Sequence, residues 1–249
     1  MSAREYPKVW SHFERIVEDG RMLKFEIEDI PESMWSTAVE FMLGNYIRED
    51  VWWKSAGTAQ DLDAVQEYRV LLTSIIRQKM SVACFLAEGD GSGRTLVAVN
   101  MCLPQEKGRF VEHRPVITVV LSLLNPPFYY KSKAGLLSLR MFAEAMKVTA
   151  IFDKYNINAY LMGAGLSVAT EYRGLGIAVE LLRARINLSK ALGFRATGGI
   201  FTSAKAQRAA EKAGMECLYH IPYKKFGKRC NIVFDSDAED LKIFAVRTE

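Results

Sequence analysis

The chain predicts a single mixed α/β (α+β) domain, and three features of its 249 residues carry that expectation. Hydrophobic residues make up 49% and charged residues 25%, the balance of a chain that buries a core instead of staying disordered. Segments with two-residue alternation sit among segments with three-and-four spacing, so strands and helices interleave along the sequence. No Pro/Gly/Ser-rich linker, internal repeat or low-complexity stretch divides the length, so one domain is expected over residues 1–249.

Residues 1–20 are polar with scattered aromatics and read as an N-terminal arm or short helix. "MLKFEIEDI", Met22 to Ile30, alternates like a half-buried strand and is stopped by Pro31. Met34, Trp35, Ala38, Val39, Met42 and Leu43 then follow helical spacing, and "TAQDLDAVQEYRVLLTSIIRQKM" makes a second helix capped by Thr58 or Asp61. "SVACFLAEG" and "RTLVAVNMCLP" flank Gly89-Asp90-Gly91-Ser92-Gly93, whose glycines permit the tight reversal of a hairpin. Residues 106–137, proline-rich, read as an irregular insertion with some helix. "LLSLRMFAEAMKVTAIFDKY" returns to helical period. "AYLMGAGLSV" is continuously apolar, as a central strand covered on both faces would be. The C-terminal part alternates: "IAVELLRARINLSKALGF" as helix, "ATGGIFTS" as strand, "AKAQRAAEKAG" as helix and "MECLYHIPY" as strand, with "CNIVFD" expected to pair with the last.

Composition excludes several classes of function. The net charge is +4, but no block of five or six Lys/Arg appears, so no nucleic-acid footprint is expected. "PYKKFGKRC" is the densest basic cluster and reads as a solvated turn, with an anionic ligand as the alternative. Cys84, Cys102, Cys217 and Cys230 are too dispersed for a zinc site or a disulfide framework, so reduced thiols and no metal are expected. The first twenty residues carry no apolar leader, and no run reaches the ~20 apolar residues of a membrane span. A cytoplasmic protein without a membrane partner is the expectation.

The most informative stretch is "TEYRGLGIA", Thr170 to Ala178, between the apolar strand and a helix. A strand, a glycine loop and a helix in succession leave backbone N–H groups unpaired at the helix start, where the macrodipole also favours an anion. Gly174 and Gly176 let the backbone approach a diphosphate, and Arg173 adds a fixed charge. A dinucleotide fingerprint fails, because Val179 stands where its third Gly or Ala belongs and no acidic partner ends a second strand. A P-loop fails because G-x-x-x-x-G-K-[ST] occurs nowhere.

Arg173, Gly176 and Ala178 do satisfy Arg/Gln-x-x-Gly-x-Gly/Ala, and here the sequence resembles the GCN5-related N-acetyltransferase (GNAT) superfamily, which binds the acetyl-CoA pyrophosphate on this loop. "LSVATEYRGLGIAVELLRARINLSKALGFRA" and "SAKAQRAAEKAGMECLYHIPY" further resemble the insect arylalkylamine and polyamine N-acetyltransferases, with Met215 in place of that family's Phe. The resemblance implies a mixed, mostly antiparallel sheet splayed at its fourth strand and flanked by helices. It implies acetyl-CoA as co-substrate and a small amine as acceptor, either a dopamine- or serotonin-like arylalkylamine or a polyamine such as agmatine or putrescine. A monomer or weak homodimer is expected.

Residue roles follow from the same resemblance. Leu166, Ser167 and Val168 would bind the pantetheine arm; Arg173, Gly174, Leu175, Gly176, Ile177 and Ala178 would hold the diphosphate; Ser203 would sit near the thiol or cap the next helix. The family's first long helix ends in Glu-Pro, whose glutamate is the general base, and here "IREDVWW" puts Asp50-Val51 there with Glu49 just before. An alkylamine is mostly protonated at neutral pH, so a carboxylate must take a proton before attack. Asp50 is the first candidate base and Glu49 the second. Trp52 and Trp53 would wall the amine pocket or pack in the core. The family's tyrosine acid corresponds to Ala210, leaving Tyr219 or His220 as substitutes. Direct transfer in a ternary complex is expected, since no Cys stands beside a His. A CoA-binding protein without catalysis, and an N-acyltransferase using a longer acyl-CoA, are the alternatives.

Overall fold

Strand residues of alternating parity are buried on opposite sides of one sheet, and this organises the molecule. The structure, a computed structural model, describes residues 4–87, 93–107 and 130–249. Eight strands are described: β1 (Val9–Ile16), β2 (Met22–Asp29), β3 (Val82–Ala87), β4 (Arg94–Glu106), β5 (Ala159–Val168), β6 (Ala196–Phe201), β7 (Glu216–Pro222) and β8 (Asp240–Arg247). They form one sheet in the order β1-β2-β3-β4-β5-β6-β8-β7. Every neighbouring pair is antiparallel except β5 and β6.

The helices are α1 (Trp35–Phe41), α2 (Ile47–Glu49), α3 (Val51–Ala56), α4 (Leu62–Ile76), α5 (Lys133–Met146), α6 (Ile151–Tyr155), α7 (Ile177–Ala191), α8 (Ala204–Lys212) and α9 (Tyr223–Cys230). On one face, Ala83, Phe85, Val99, Met101, Tyr160 and Met162 pack with residues of α1 to α6 and α9. On the other, Cys84, Ala98, Cys102 and Leu161 pack against Ile177, Leu181, Ala184 and Leu188 of α7. The two-residue period of β3, β4 and β5 therefore feeds two cores at once. A smaller cluster of Leu182, Phe201, Ala209, Ala210, Met215 and Phe244 joins α7 to α8.

Three expectations change. Residues 9–16 are not a helix or free arm but β1, paired with β2 from Val9↔Glu28 to Ile16↔Met22. Edge-strand exposure explains the polar sequence, and the extra strand makes the splayed strand fifth in the chain rather than fourth. Within the stretch read as an insertion with some helix, helix begins at Lys133, because Ser132 caps α5 by accepting from Gly135 N at 3.0 Å; residues 108–129 lie outside the described residues. "PYKKFGKRC" is not a turn but α9, which buries Tyr223, Phe226 and Cys230 and leaves its lysines outward. The partner of β7 is β8, "DLKIFAVR", and not "CNIVFD".

The antiparallel reading of β3 and β4 holds, although residues 88–92 of their connection lie outside the described residues. Asp61 caps α4, accepting from Ala64 N at 3.1 Å. All four cysteines are free, and among the described residues no helix is long and apolar enough to cross a membrane.

Candidate active site

The parallel pairing of β5 with β6 covers only Leu161↔Thr197, Met162↔Gly198 and Gly163↔Gly199. Beyond Gly163 the two strands part, and β5 runs on to Val168 bonded to β4 alone. The register of β4 with β5 also slips there, since Met101 faces Gly165 and Cys102 faces Gly163, which leaves Ala164 as an extra, bulged residue. Gly165 has φ +142°, and an added Cβ would press on Tyr46 Cε1 at 2.9 Å and Met42 Cε at 3.0 Å, so the bulge needs glycine. Asn100 Nδ2 donates to Gly165 O at 2.9 Å and fixes the bulge from β4, while its buried Oδ1 has no partner.

A cavity of about 180 Å³ occupies this fork. Its strand walls include Gly163 to Leu166 and Gly199 to Thr202; its helical wall brings Tyr46, Asp50, Trp52, Trp53 and Tyr68 from one face and Ala178, Leu182 and Arg185 from the other. The aromatic wall is tightly set. Trp52 stacks on Phe226 at 5.8 Å, and Trp53 leans on Tyr68 at 4.4 Å and meets Tyr46 edge-on at 6.4 Å.

Asp50 enters this cavity because helix geometry changes twice beside it. A π-helical turn over Met42–Tyr46 rotates the register, α2 ends at Glu49, and Asp50 is extended at φ −62°, ψ 136° as the cap of α3. Its Oδ1 accepts from Trp52 N at 3.0 Å and its Oδ2 from Thr202 Oγ1 at 2.6 Å. Burial raises its pKa above the ordinary carboxylate value, outweighing the Thr202 and backbone hydrogen bonds that lower it. A carboxylate of raised pKa beside a cavity is a stronger proton acceptor. Tyr46 and Tyr68 are pushed well above their usual range by burial, so both stay neutral phenols.

The adjoining loop has the features of an anion site. Gly174 and Gly176 take positive φ, and Gly176 caps α7 without a side chain. Among the described residues, the N–H groups of Gly174, Leu175, Gly176, Ile177 and Ala178 have no protein acceptor, whereas those of Tyr172 and Arg173 do. Arg173 Nε donates to Val168 O at 3.0 Å, and its Nη2 pairs with Glu49. Arg15 of β1 reaches the same loop, donating to Leu175 O at 2.8 Å.

The structure thus brings Asp50, Trp52, Trp53, Leu166 and Ala178 together around one cavity, with Ser167 and Val168 next along β5 and Arg173 to Ile177 in the loop that leads into α7. Three expected site residues lie elsewhere. Glu49, next to the helix end, turns outward to Arg173 and does not line the cavity. Ser203 caps α8, accepting from Ala206 N at 3.3 Å, and the neighbouring Thr202 supplies the hydroxyl in the cavity. His220 is exposed on β7 and paired with Asp240 at 2.8 Å, away from the cavity, which Tyr219 does not line either. Sequence reasoning missed Tyr46, Thr202, Asn100, Arg185 and Arg15. Only Tyr46 carried a local signal, standing one helical turn before Asp50.

A split sheet with a bulged strand feeding a glycine loop is the fold of the GCN5-related N-acetyltransferases, and solved structures match the chain to that fold. A protein of the yellow fever mosquito Aedes aegypti, provisionally named arylalkylamine N-acetyltransferase 7, is similar over 100% of this chain and 98% of its own, at 25% identity and TM-score 0.83. A Drosophila melanogaster polyamine N-acetyltransferase that forms N-acetylagmatine matches in fold, covering 90% of this chain and 99% of its own at 17% identity and TM-score 0.67. The C-terminal condensation domain of Ebony, solved with β-alanyl-dopamine, shares the fold at 12% identity and TM-score 0.61 over 91% of this chain and 100% of its own. No protein-family model and no curated protein matches the sequence. In fold the chain matches the insect arylalkylamine and polyamine N-acetyltransferases.

Proposed function

We propose that the protein, acting as one domain, transfers the acetyl group of acetyl-CoA to the primary amine of a small arylalkylamine by direct attack in a ternary complex. The observation that carries this is the continuity of the cavity. A single space joins the unpaired edge of β5 to an aromatic chamber holding Asp50.

The donor site fits the group. Five unpartnered N–H groups from Gly174 to Ala178, beside Arg173 and Arg15, suit a diphosphate. The free edge over Leu166, Ser167 and Val168 suits an amide-containing arm. Asp50 is the general base. The ammonium gives one proton through Asp50, directly or by way of water, to solvent; the neutral nitrogen then bonds to the thioester carbon, the carbon–sulfur bond breaks, and the second nitrogen proton passes through Asp50 to the departing thiolate, leaving the amide and the CoA thiol. Thr202 and the Trp52 N–H hold the carboxylate in place during this transfer. Neutral Tyr46 and Tyr68 with Trp52 and Trp53 form an apolar chamber, which favours an amine with an aromatic body. Among the described lining residues Asp50 is the only carboxylate, so a second ammonium group, as in a polyamine, finds no second carboxylate among them.

Incubating the protein with acetyl-CoA and a panel of arylalkylamines, diamines and agmatine, and following free thiol, tests this. Thiol release is expected with arylalkylamines ahead of diamines. No release with any amine would refute the reading.

A further inference from the structure

Among the described residues, Arg185 is a buried cation without a counter-ion. It lies in the middle of α7, on the face shared by Ala178 and Leu182, and all three line the cavity. It is 2% exposed. Its hydrogen-bond contact is Met215 Sδ at 3.7 Å, and its Nε has no partner. Among the described residues it forms no ion pair. The titratable groups beside it supply no negative charge: burial pushes the Cys102 thiol up to about 12 and the Tyr160 hydroxyl above its usual range. Burial lowers the pKa of Arg185 itself, but a guanidinium stays protonated in proteins.

A buried charge without a partner is costly, and an apolar side chain of similar length would remove the cost. The surroundings are nevertheless shaped to admit it. The guanidinium lies against Gly163, where a Cβ would overlap Nη1, and Gly199 faces Gly163 across the last parallel pair. Gly163 therefore lets the cation reach the point at which β5 and β6 separate, while a Cβ on Gly199 would meet the backbone of Gly163.

We propose that Arg185 is an anion subsite at the fork of β5 and β6, taking the distal carboxylate of an acyl-CoA derived from a four- or five-carbon dicarboxylic acid, such as succinyl- or glutaryl-CoA. This rests on the donor placement proposed above, along Leu166 to Val168. Leu166 follows Gly163 by three residues, roughly 10 Å of extended strand at about 3.3 Å per residue, less the shortening of the bulge. The sulfur of a thioester held there is out of reach of Arg185, so the leaving thiolate is not its partner. Two or three methylenes and a carboxylate span on the order of 5 Å, and a hydrogen bond of about 2.8 Å at the guanidinium closes most of the rest. In the reaction the amine nitrogen bonds to the thioester carbon and the carbon–sulfur bond breaks. The nitrogen's proton passes to Asp50 and then to the thiolate, and the distal carboxylate remains free on the amide product.

Calorimetric titration of the full chain with CoA, butyryl-CoA and succinyl-CoA, without amine, tests the subsite by binding alone. Butyryl-CoA matches succinyl-CoA in carbon number but lacks the charge. All three are expected to bind, with succinyl-CoA on the order of tenfold or more tighter than butyryl-CoA, as a charge-assisted hydrogen bond gives. Arg185→Met should abolish that ratio while leaving CoA affinity unchanged, and Arg185→Lys should retain part of it. Equal or tighter binding of butyryl-CoA to the wild-type chain would overturn the subsite, even if Arg185→Met failed to fold. So would a preference for succinyl-CoA that survives Arg185→Met. Failure of CoA and both thioesters to bind would instead remove the donor placement, and the subsite with it.

Discussion

Replacing Asp50 with asparagine isolates the base from the shape of the site. Asn keeps the size of the side chain, and its carbonyl can still accept from Trp52 N, while its amide can donate to the Thr202 hydroxyl that now turns around. What is lost is the ability to take a proton. General-base catalysis contributes typically 10²–10⁴-fold, or about 2.7–5.4 kcal/mol at ~1.36 kcal/mol per decade, and kcat/KM of Asp50→Asn should fall by that range with KM little changed. The pH profile carries a second signature. Burial holds the Asp50 pKa above its ordinary value, so wild-type activity should rise with pH along an acid limb set by that raised pKa, and Asp50→Asn should lack the limb. Comparing amines of different basicity separates this limb from ionisation of the substrate. Stability should move the opposite way. The folded pKa exceeds the unfolded one, so the charged form opposes folding: wild type loses stability relative to Asp50→Asn as pH rises from the ordinary carboxylate value through the raised one, and the gap closes below that window. A loss of activity under threefold, or an acid limb that persists in Asp50→Asn, would refute the assignment.

Other consequences can be measured in the same assays. Thr202→Val removes a hydrogen bond that lowers the Asp50 pKa, so the acid limb should shift to higher pH. Glu49→Ala breaks an exposed pair with Arg173 and should change stability by no more than about 1 kcal/mol with kcat preserved, in contrast to Asp50→Asn. Arg173→Ala should weaken CoA binding by roughly tenfold, as loss of a charge-assisted contact does, with kcat at saturation retained; unchanged CoA affinity would remove Arg173 from the donor site. Gly165→Ala forces a strained φ and a contact with Tyr46, and should destabilise the fold by about 1–3 kcal/mol in chemical denaturation.

How much of this was legible in the sequence depended on whether the signal was local. β5, its loop and α7 were readable because the apolar run, the two glycines and the helical period are contiguous, and the unpaired N–H groups follow from that order. Asp50 was placed by its position at a helix end, but the choice against Glu49 needed the turn at Asp50, whose extended backbone sends consecutive side chains in different directions. β1 was illegible because an edge strand of a long sheet carries polar residues on its open side, and nothing local reports that Arg15 reaches Leu175, 160 positions away. Ser203 drew attention as a serine after β6. Strand alternation instead turns Thr202 into the cavity and leaves Ser203 to cap α8. Arg185 hid inside an ordinary amphipathic pattern, where an arginine on the apolar face reads as a surface residue until the packing is known.

The central claim is that an amine and a CoA donor meet at Asp50 in the fork of β5 and β6. A crystal structure of the full chain with CoA and an arylalkylamine tests it most directly. The diphosphate is expected on the N–H groups of Gly174 to Ala178, and the amine nitrogen within about 2.6–3.2 Å of the Asp50 carboxylate or one water away. An amine bound outside the aromatic chamber, or a nitrogen held by a different acceptor with Asp50 still engaged only by Thr202 and Trp52, would contradict it.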